Sequence, residues 1–310
     1  MTIGGRPGTN DPIAVFVRPI TCTSVAGDKP HLRPANQGMG FDMWNASAPV
    51  VVGVDGSDAA IDAAIWAIDE AVSRDVPLRI VHVTHIEDQR AATDDDFRLD
   101  VHYAEASVRA ATSAVEATGT QVKIETEVLW GTVKTVLIDE SRNATMICLG
   151  SMGIGAIAGK LIGSTAATLA KESRCPVAII RAPHRPHAGR TGWIVAVVEN
   201  RADNESVIEH AMAGARLRKA PVLAVGVWQE EHREDILNRL VDAWKQLFPD
   251  VHVYPVASRA GIAQFLSENK DQSVQLAVVG SADAAQVAKI IGPHSHPLTG
   301  HGECSVLVVR

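Results

Sequence analysis

"PVVVGVDGSDAAIDAAIWAIDEAVSR", Pro49 to Arg74, decides the fold. Its valines run without polar alternation, which marks a strand covered on both faces, and the run stops at Asp55-Gly56-Ser57. Alanine and isoleucine then recur at helical spacing behind Ser57, a residue type that opens helices. Strand, tight turn and helix in direct succession open a parallel sheet whose crossovers are helical.

The same alternation continues outward. "VPLRIVHVTH" is a second strand, a helix is expected from about Leu99 to Ala117, and "VKIETEVLW" is a third strand followed by the helical "GTVKTVLIDESRN". "ATMICLGS" is a fourth strand, "STAATLAKESR" a fourth helix and "CPVAIIR" a fifth strand. Asp94, Asp95 and Asp96 are expected in a solvated loop. The first 48 residues lack an apolar period and read as a flexible leader, so a chain starting at Met43 should keep its melting temperature and ligand affinity.

Beyond "APHRPHAGRTG" the pattern restarts. Val50–Asp55 aligns with Ile194–Glu199 and Pro77 with Pro221, both at an offset of 144. Gly131 aligns with Gly261 and Gly150 with Gly280 at 130, and Arg181 with Arg310 at 129. Register held over such lengths is the mark of two copies of one α/β unit. The expected organisation is a leader at 1–48, a first unit at 49–182, a linker at 183–192 and a second unit at 193–310.

Composition narrows the function classes. Of the 310 residues, 46% are hydrophobic and 21% charged, as in water-soluble globular chains, and a formal charge of -7 argues against a nucleic-acid groove. No apolar run approaches the roughly 18 residues that span a bilayer, and "IAVFV" at Ile13–Val17 is too short for a secretion signal, so a cytoplasmic protein is expected. Cys22, Cys148, Cys175 and Cys304 lack paired spacing and read as small buried hydrophobes.

"GSMGIGAIAGKLIGST", residues 150–165, carries the candidate site. Glycines in such number sacrifice regular structure for close backbone approach to a partner. In an open α/β sheet that partner sits beyond the carboxyl ends of the strands, where the connections reverse direction. Gly163-Ser164-Thr165 then opens a helix whose N–H groups and dipole receive an anion. The partner expected from these residues is a polyphosphate.

"VVVGVDGSDAAIDAAIWA", "PLRIVHV", "CPVAIIR" and above all Gly150-x2-Gly153-x9-Gly163-Ser164 resemble the universal stress protein family, in its two-copy type of mycobacteria and related actinobacteria. The resemblance spans residues 49–310. It implies an α/β fold of two tandem open parallel five-stranded sheets, order 3-2-1-4-5, with helices on both faces. It also implies ATP, with Mg through Asp55, held by Gly53, Val54, Asp55, Val83, Gly150, Ser151, Met152, Gly153, Gly163, Ser164 and Thr165. Asp55 would serve the nucleoside or its metal ion and Val83 would flank adenine. Pairing of the fifth strands, a homodimer and an unidentified protein partner are further implications. Met152 departs from the family, standing where many members carry a basic residue, and Lys160 is the candidate substitute.

The second copy differs at the same positions. Asp283 replaces Gly153, Pro293 replaces Ser164, Glu199 replaces Asp55, and Asn200-Arg201 replace Gly56-Ser57. A carboxylate and a residue without an N–H remove the phosphate cradle, so this copy is expected to keep its sheet and lose its ligand. His294, His296, His301 and Cys304 lack a recognised metal spacing and are read as structural, and Trp130 is read as rim packing. No Ser-His-Asp set, H-E-x-x-H or Walker sequence occurs. The leading expectation is an ATP-binding regulator of stress response or growth arrest, with slow hydrolysis left open. An ATP-dependent enzyme with a second substrate and a nucleotide-free scaffold are the alternatives.

Overall fold

The computed structural model describes residues 48–84, 94–153, 162–181, 192–199, 204–227, 234–269, 273–292 and 304–310. All of the leader but Ala48, most of the linker, Lys160, Asn200-Arg201, Pro293 and the three histidines at 294, 296 and 301 lie outside them.

The chain begins with β1 (Val50–Gly53), α1 (Asp58–Ser73), β2 (Leu78–Thr84) and α2 (Asp94–Glu116). It continues with β3 (Ile124–Trp130), α3 (Val133–Glu140), β4 (Met146–Gly150), α4 (Ser164–Glu172) and β5 (Val177–Ile180). The second half runs β6 (Trp193–Val198), α5 (Asn204–Arg218), β7 (Val222–Val227), α6 (Glu234–Leu247), β8 (Val253–Ser258) and α7 (Ile262–Glu268). It ends with β9 (Val274–Gly280), a 3-10 turn (Ser281–Gln286), α8 (Val287–Ile291) and β10 (Ser305–Val309).

These strands form one ten-stranded sheet, β3-β2-β1-β4-β5-β10-β9-β6-β7-β8. The expected order 3-2-1-4-5 appears in each half, but the two sheets are not separate. β5 and β10 pair antiparallel, Ala178 opposite Leu307, and every other pair is parallel. Pairing removes the exposed donors and acceptors that either strand would present as an edge.

Side chains alternate across β1. Val50 and Val52 join a core under α1, α2, α5 and α6, while Val51 joins a core under α3, α4, α7 and α8. Both cores run through both halves, which explains why the strands read as unbroken valine and isoleucine. Cys148, Cys175 and Cys304 are free thiols buried in these cores, and burial pushes Cys304 up to about 12.

Two local expectations are corrected. Asp94–Asp96 are not a loop but the first turn of α2. Strand one ends at Gly53, two residues before Asp55, because Gly56 with φ +84 turns the chain into α1 and Ser57 accepts from the Ala60 N–H as its N-cap.

An ion pair also ties the halves together. Arg218 of α5 donates to Glu70 of α1 at 2.8 Å with both side chains about 5% exposed or less, and its guanidinium lies 4.5 Å above the Trp66 ring. Arg74 donates to the other Glu70 oxygen. Arg218→Met should cost about 3 kcal/mol, the low end for a broken buried pair because Arg74 still serves Glu70. Urea unfolding checks this, and an unchanged midpoint would show that the pair contributes nothing net.

Candidate functional site

In the first half the connections reverse between β1 and β4, and a crevice of about 420 Å³ opens there at the carboxyl ends of the strands. Its volume lies in the range of small-ligand sites. Ten of the eleven residues expected from sequence line it, namely Gly53, Val54, Asp55, Val83, Gly150, Met152, Gly153, Gly163, Ser164 and Thr165. Ser151 does not. Its side chain is buried, its N–H donates to the Ile180 carbonyl at 2.7 Å and its carbonyl accepts from Gly163 N at 2.8 Å, so it closes the neck of the glycine loop.

The glycines serve different ends. A Cβ on Gly150 would lie 2.7 Å from the Ala59 backbone, and one on Gly53 would lie 2.7 Å from Leu149 Cδ2. The first is fixed by backbone, whereas the second meets the end of a side chain. A Cβ on Gly153 would lie 2.2 Å from Asp55 Oδ2, a movable side-chain end facing the crevice. At Gly163 a Cβ would meet nothing nearer than 3.6 Å among the described residues, which do not themselves demand glycine there. A bare backbone there leaves room for an occupant.

Gly163, not Ser164, is the N-cap of α4, and no side chain among the described residues caps it. The first helical bond is Ala167 N to Gly163 O, so the N–H groups of Ser164, Thr165 and Ala166 have no intrahelical acceptor where they line the crevice. Opposite them, Asp55 Oδ1 accepts from the Ser57 N–H at 3.1 Å and the Ser57 hydroxyl at 2.6 Å. The Asp55 carbonyl accepts from Tyr103 of α2 at 2.6 Å. Val81, Val83, Val133, Leu137 and Ile162 supply apolar walls. Among the described lining residues Asp55 alone is charged, and the attraction they offer an anion comes from backbone N–H groups and the α4 dipole.

Val133, Leu137 and Ser57 belong to the site and were missed as lining residues, since helical spacing and a turn serine carry no sign of which cavity they border. Trp130 stacks on Phe97, ring centroids 5.4 Å apart and planes 11° from parallel, and is not among the lining residues.

Beneath the site His82 is buried edge-on to Tyr103, its ring donating to the Val54 carbonyl, with Nδ1 unpartnered among the described residues. Desolvation holds its pKa below the ordinary value of about 6.5, despite the opposing effects of that hydrogen bond and of Asp55. Below that value the unfolded chain binds the proton more readily than the folded one. Stability from this residue is therefore intact above about pH 6.5 and falls with acidification, by up to about 1.4 kcal/mol per pH unit. Urea midpoints at pH 7.5 and 5.5 should converge in His82→Leu, and parallel falls in both proteins would refute the assignment.

In the second half the chain passes from β9 straight into the 3-10 turn and α8. Ala284, Val287, Ile290 and Ile291 sink into the core, and Asp283, 4% exposed, accepts from Gln286 Nε2 at 2.9 Å. Where Gly153 leaves an opening, this half has a short helix and a buried carboxylate. The Glu199 N–H is taken up by the Asn204 side chain at 3.1 Å. Among the described residues no group of three metal-ligating side chains occurs, and no helix is long and apolar enough to cross a membrane.

An open, mostly parallel sheet with Gly150, Gly153 and Gly163 at its reversal point places the chain in the Rossmann-like fold class. Residues 47–181 match the profile of the Universal stress protein family. Universal stress protein Rv2624c of Mycobacterium tuberculosis is 48% identical over 267 residues, covering 84% of this chain and 96% of that protein. Universal stress protein Rv3134c of the same species is 40% identical over 271 residues, covering 84% and 95%. A universal stress protein from Archaeoglobus fulgidus shares the fold at TM-score 0.67 and 15% identity, covering 86% of this chain and 97% of that one. The chain belongs to the universal stress protein family.

Proposed function

We propose that the first-half crevice binds an adenine nucleotide, ATP with Mg, and that the chain is a nucleotide-dependent regulator of stress response or growth arrest in the cytoplasm. The observation that carries the reading is the uncapped start of α4 facing Asp55 across a glycine-lined opening. In this reading the N–H groups of Gly153, Ser164 and Thr165 hold phosphate oxygens, and the Asp55 carboxylate accepts from ribose hydroxyls. Val83, Val133 and Leu137 flank the base. Mg would be held mainly through the phosphates, with Asp55 the one carboxylate among the described lining residues.

The second half, with Asp283 buried in place of a loop, acts as a structural partner. A homodimer would use surfaces other than β5 and β10, which are paired within the chain; light scattering reads that state. Calorimetry with Mg-ATP should give one site per chain, and heat-released ligand from natively purified protein should contain adenine nucleotide. Absence of both saturable binding and released nucleotide overturns the reading. A stoichiometry of two overturns its restriction to the first half.

A further inference from the structure

The two arginines that end the fifth strands reach across the seam in opposite senses. Arg181, following β5, donates to the carbonyls of Ile291 and Gly292 at the end of α8, the latter at 3.3 Å. Arg310, following β10, donates through Nη2 to the carbonyls of Leu169 and Ala170 in the last turn of α4, at 3.2 and 2.8 Å. Each half thus holds the C-terminal end of a helix belonging to the other.

The α4 contact fills a specific vacancy in the hydrogen bonding. Ala170 O would ordinarily accept from the N–H four residues on, but Arg174 N donates instead to the Ser141 hydroxyl at 2.8 Å. Arg310 takes the place of that donor. The 3-10 turn of the second half also packs against α4. At nine residues α4 is too short to hold itself together in water, so its order and axial position depend on such anchors.

We infer that Arg310 is a positioning residue for the anion-binding end of α4, so that the second half sets the phosphate affinity of the first. This rests on the nucleotide reading above. Nine residues span about 13 Å, beyond the screening length of about 8 Å at physiological salt. At that distance the direct pull of the arginine charge on the phosphates is the smaller effect. Arg310 fixes where the N–H groups of Ser164 and Thr165 stand, and hydrogen bonds to phosphate are lost when those donors shift by a fraction of their length.

The test uses the full chain with Arg310→Gln and the mirror variant Arg181→Gln, which releases α8 instead. Dissociation constants are measured for ATP and for adenosine, which has the base and ribose but no phosphates. Arg310→Gln should weaken ATP about tenfold and leave adenosine within about twofold, while Arg181→Gln should leave both within about twofold. The inference is overturned if Arg310→Gln keeps its ATP affinity, if ATP and adenosine weaken alike, or if Arg181→Gln matches its effect. Should Arg310→Gln fail to fold, Arg310→Lys, which keeps the charge without the planar fork, should weaken ATP by a smaller factor, and unchanged affinity again overturns the inference. If the native protein binds no nucleotide, the functional reading fails by itself. Amide exchange of the ligand-free protein then judges the clasp, with faster exchange confined to α4 in Arg310→Gln supporting it and unchanged exchange overturning it.

Discussion

Gly153→Asp is expected to reduce nucleotide affinity at least about 100-fold while shifting the melting temperature by no more than about 2 °C. The new Cβ would stand 2.2 Å from Asp55 Oδ2, so that carboxylate must swing away from where it now faces the loop. A second carboxylate then lies beside the first at the mouth of the crevice, and two like charges about 4 Å apart repel by about 4 kcal/mol at intermediate screening. Phosphates meet the same field. The fold survives because the clash among the described residues is with the end of one side chain. By contrast Gly150 is backed by the Ala59 backbone, which has no comparable freedom. Calorimetry and thermal melting of the same preparation decide the matter, and near-native affinity in Gly153→Asp would falsify the placement of the cradle.

The largest effect on folding is expected from Leu307→Pro. Leu307 pairs with Ala178 of β5 on one side and Val278 of β9 on the other, and its side chain is 3% exposed in the core. Proline removes the amide donor of a strand paired on both sides, a place from which it is essentially excluded. Both the joint between the halves and the adjoining parallel ladder are lost with it. Ile179→Pro, opposite Val306, should behave alike. The outer strand β8 already carries Pro255, where only one side of the strand is paired. Insoluble protein, or a melting temperature lowered by more than about 10 °C, is the expected result. Cooperative melting within about 5 °C of the native protein would rule out a stabilising joint.

Much of this was legible in the sequence, because a buried parallel strand has few other ways to be written. Val50–Val52, Ile147–Leu149 and Val306–Val309 admit little but a covered strand, and the self-alignment of Gly150 with Gly280 showed one unit written twice, while the strand order came from the family resemblance. The crevice was legible for a related reason, since nine of its lining residues fall in three short runs, 53–55 and 150–153 at strand ends and 163–165 at the start of α4. Ser151 was misplaced because its neighbours face the crevice and the direction of one side chain depends on the turn that Gly163 closes. Asp94–Asp96 were misread because three adjacent acids look solvated whether they stand in a loop or open a helix. The arginine contacts left no trace in spacing, since each is made to a backbone carbonyl more than a hundred residues away.

The antiparallel joint between β5 and β10 also has a meaning for dilution. Two separate chains meeting along such strands would part as their concentration fell, whereas strands on one polypeptide see each other at an effective molarity set by the connecting chain, on the order of millimolar for short flexible links. The pairing is then indifferent to how scarce the protein becomes. A chain made at a few copies keeps the same ten-stranded sheet as one made in abundance. The two halves can therefore differ at their crevices without the pair coming apart, because the joint is held by the chain itself.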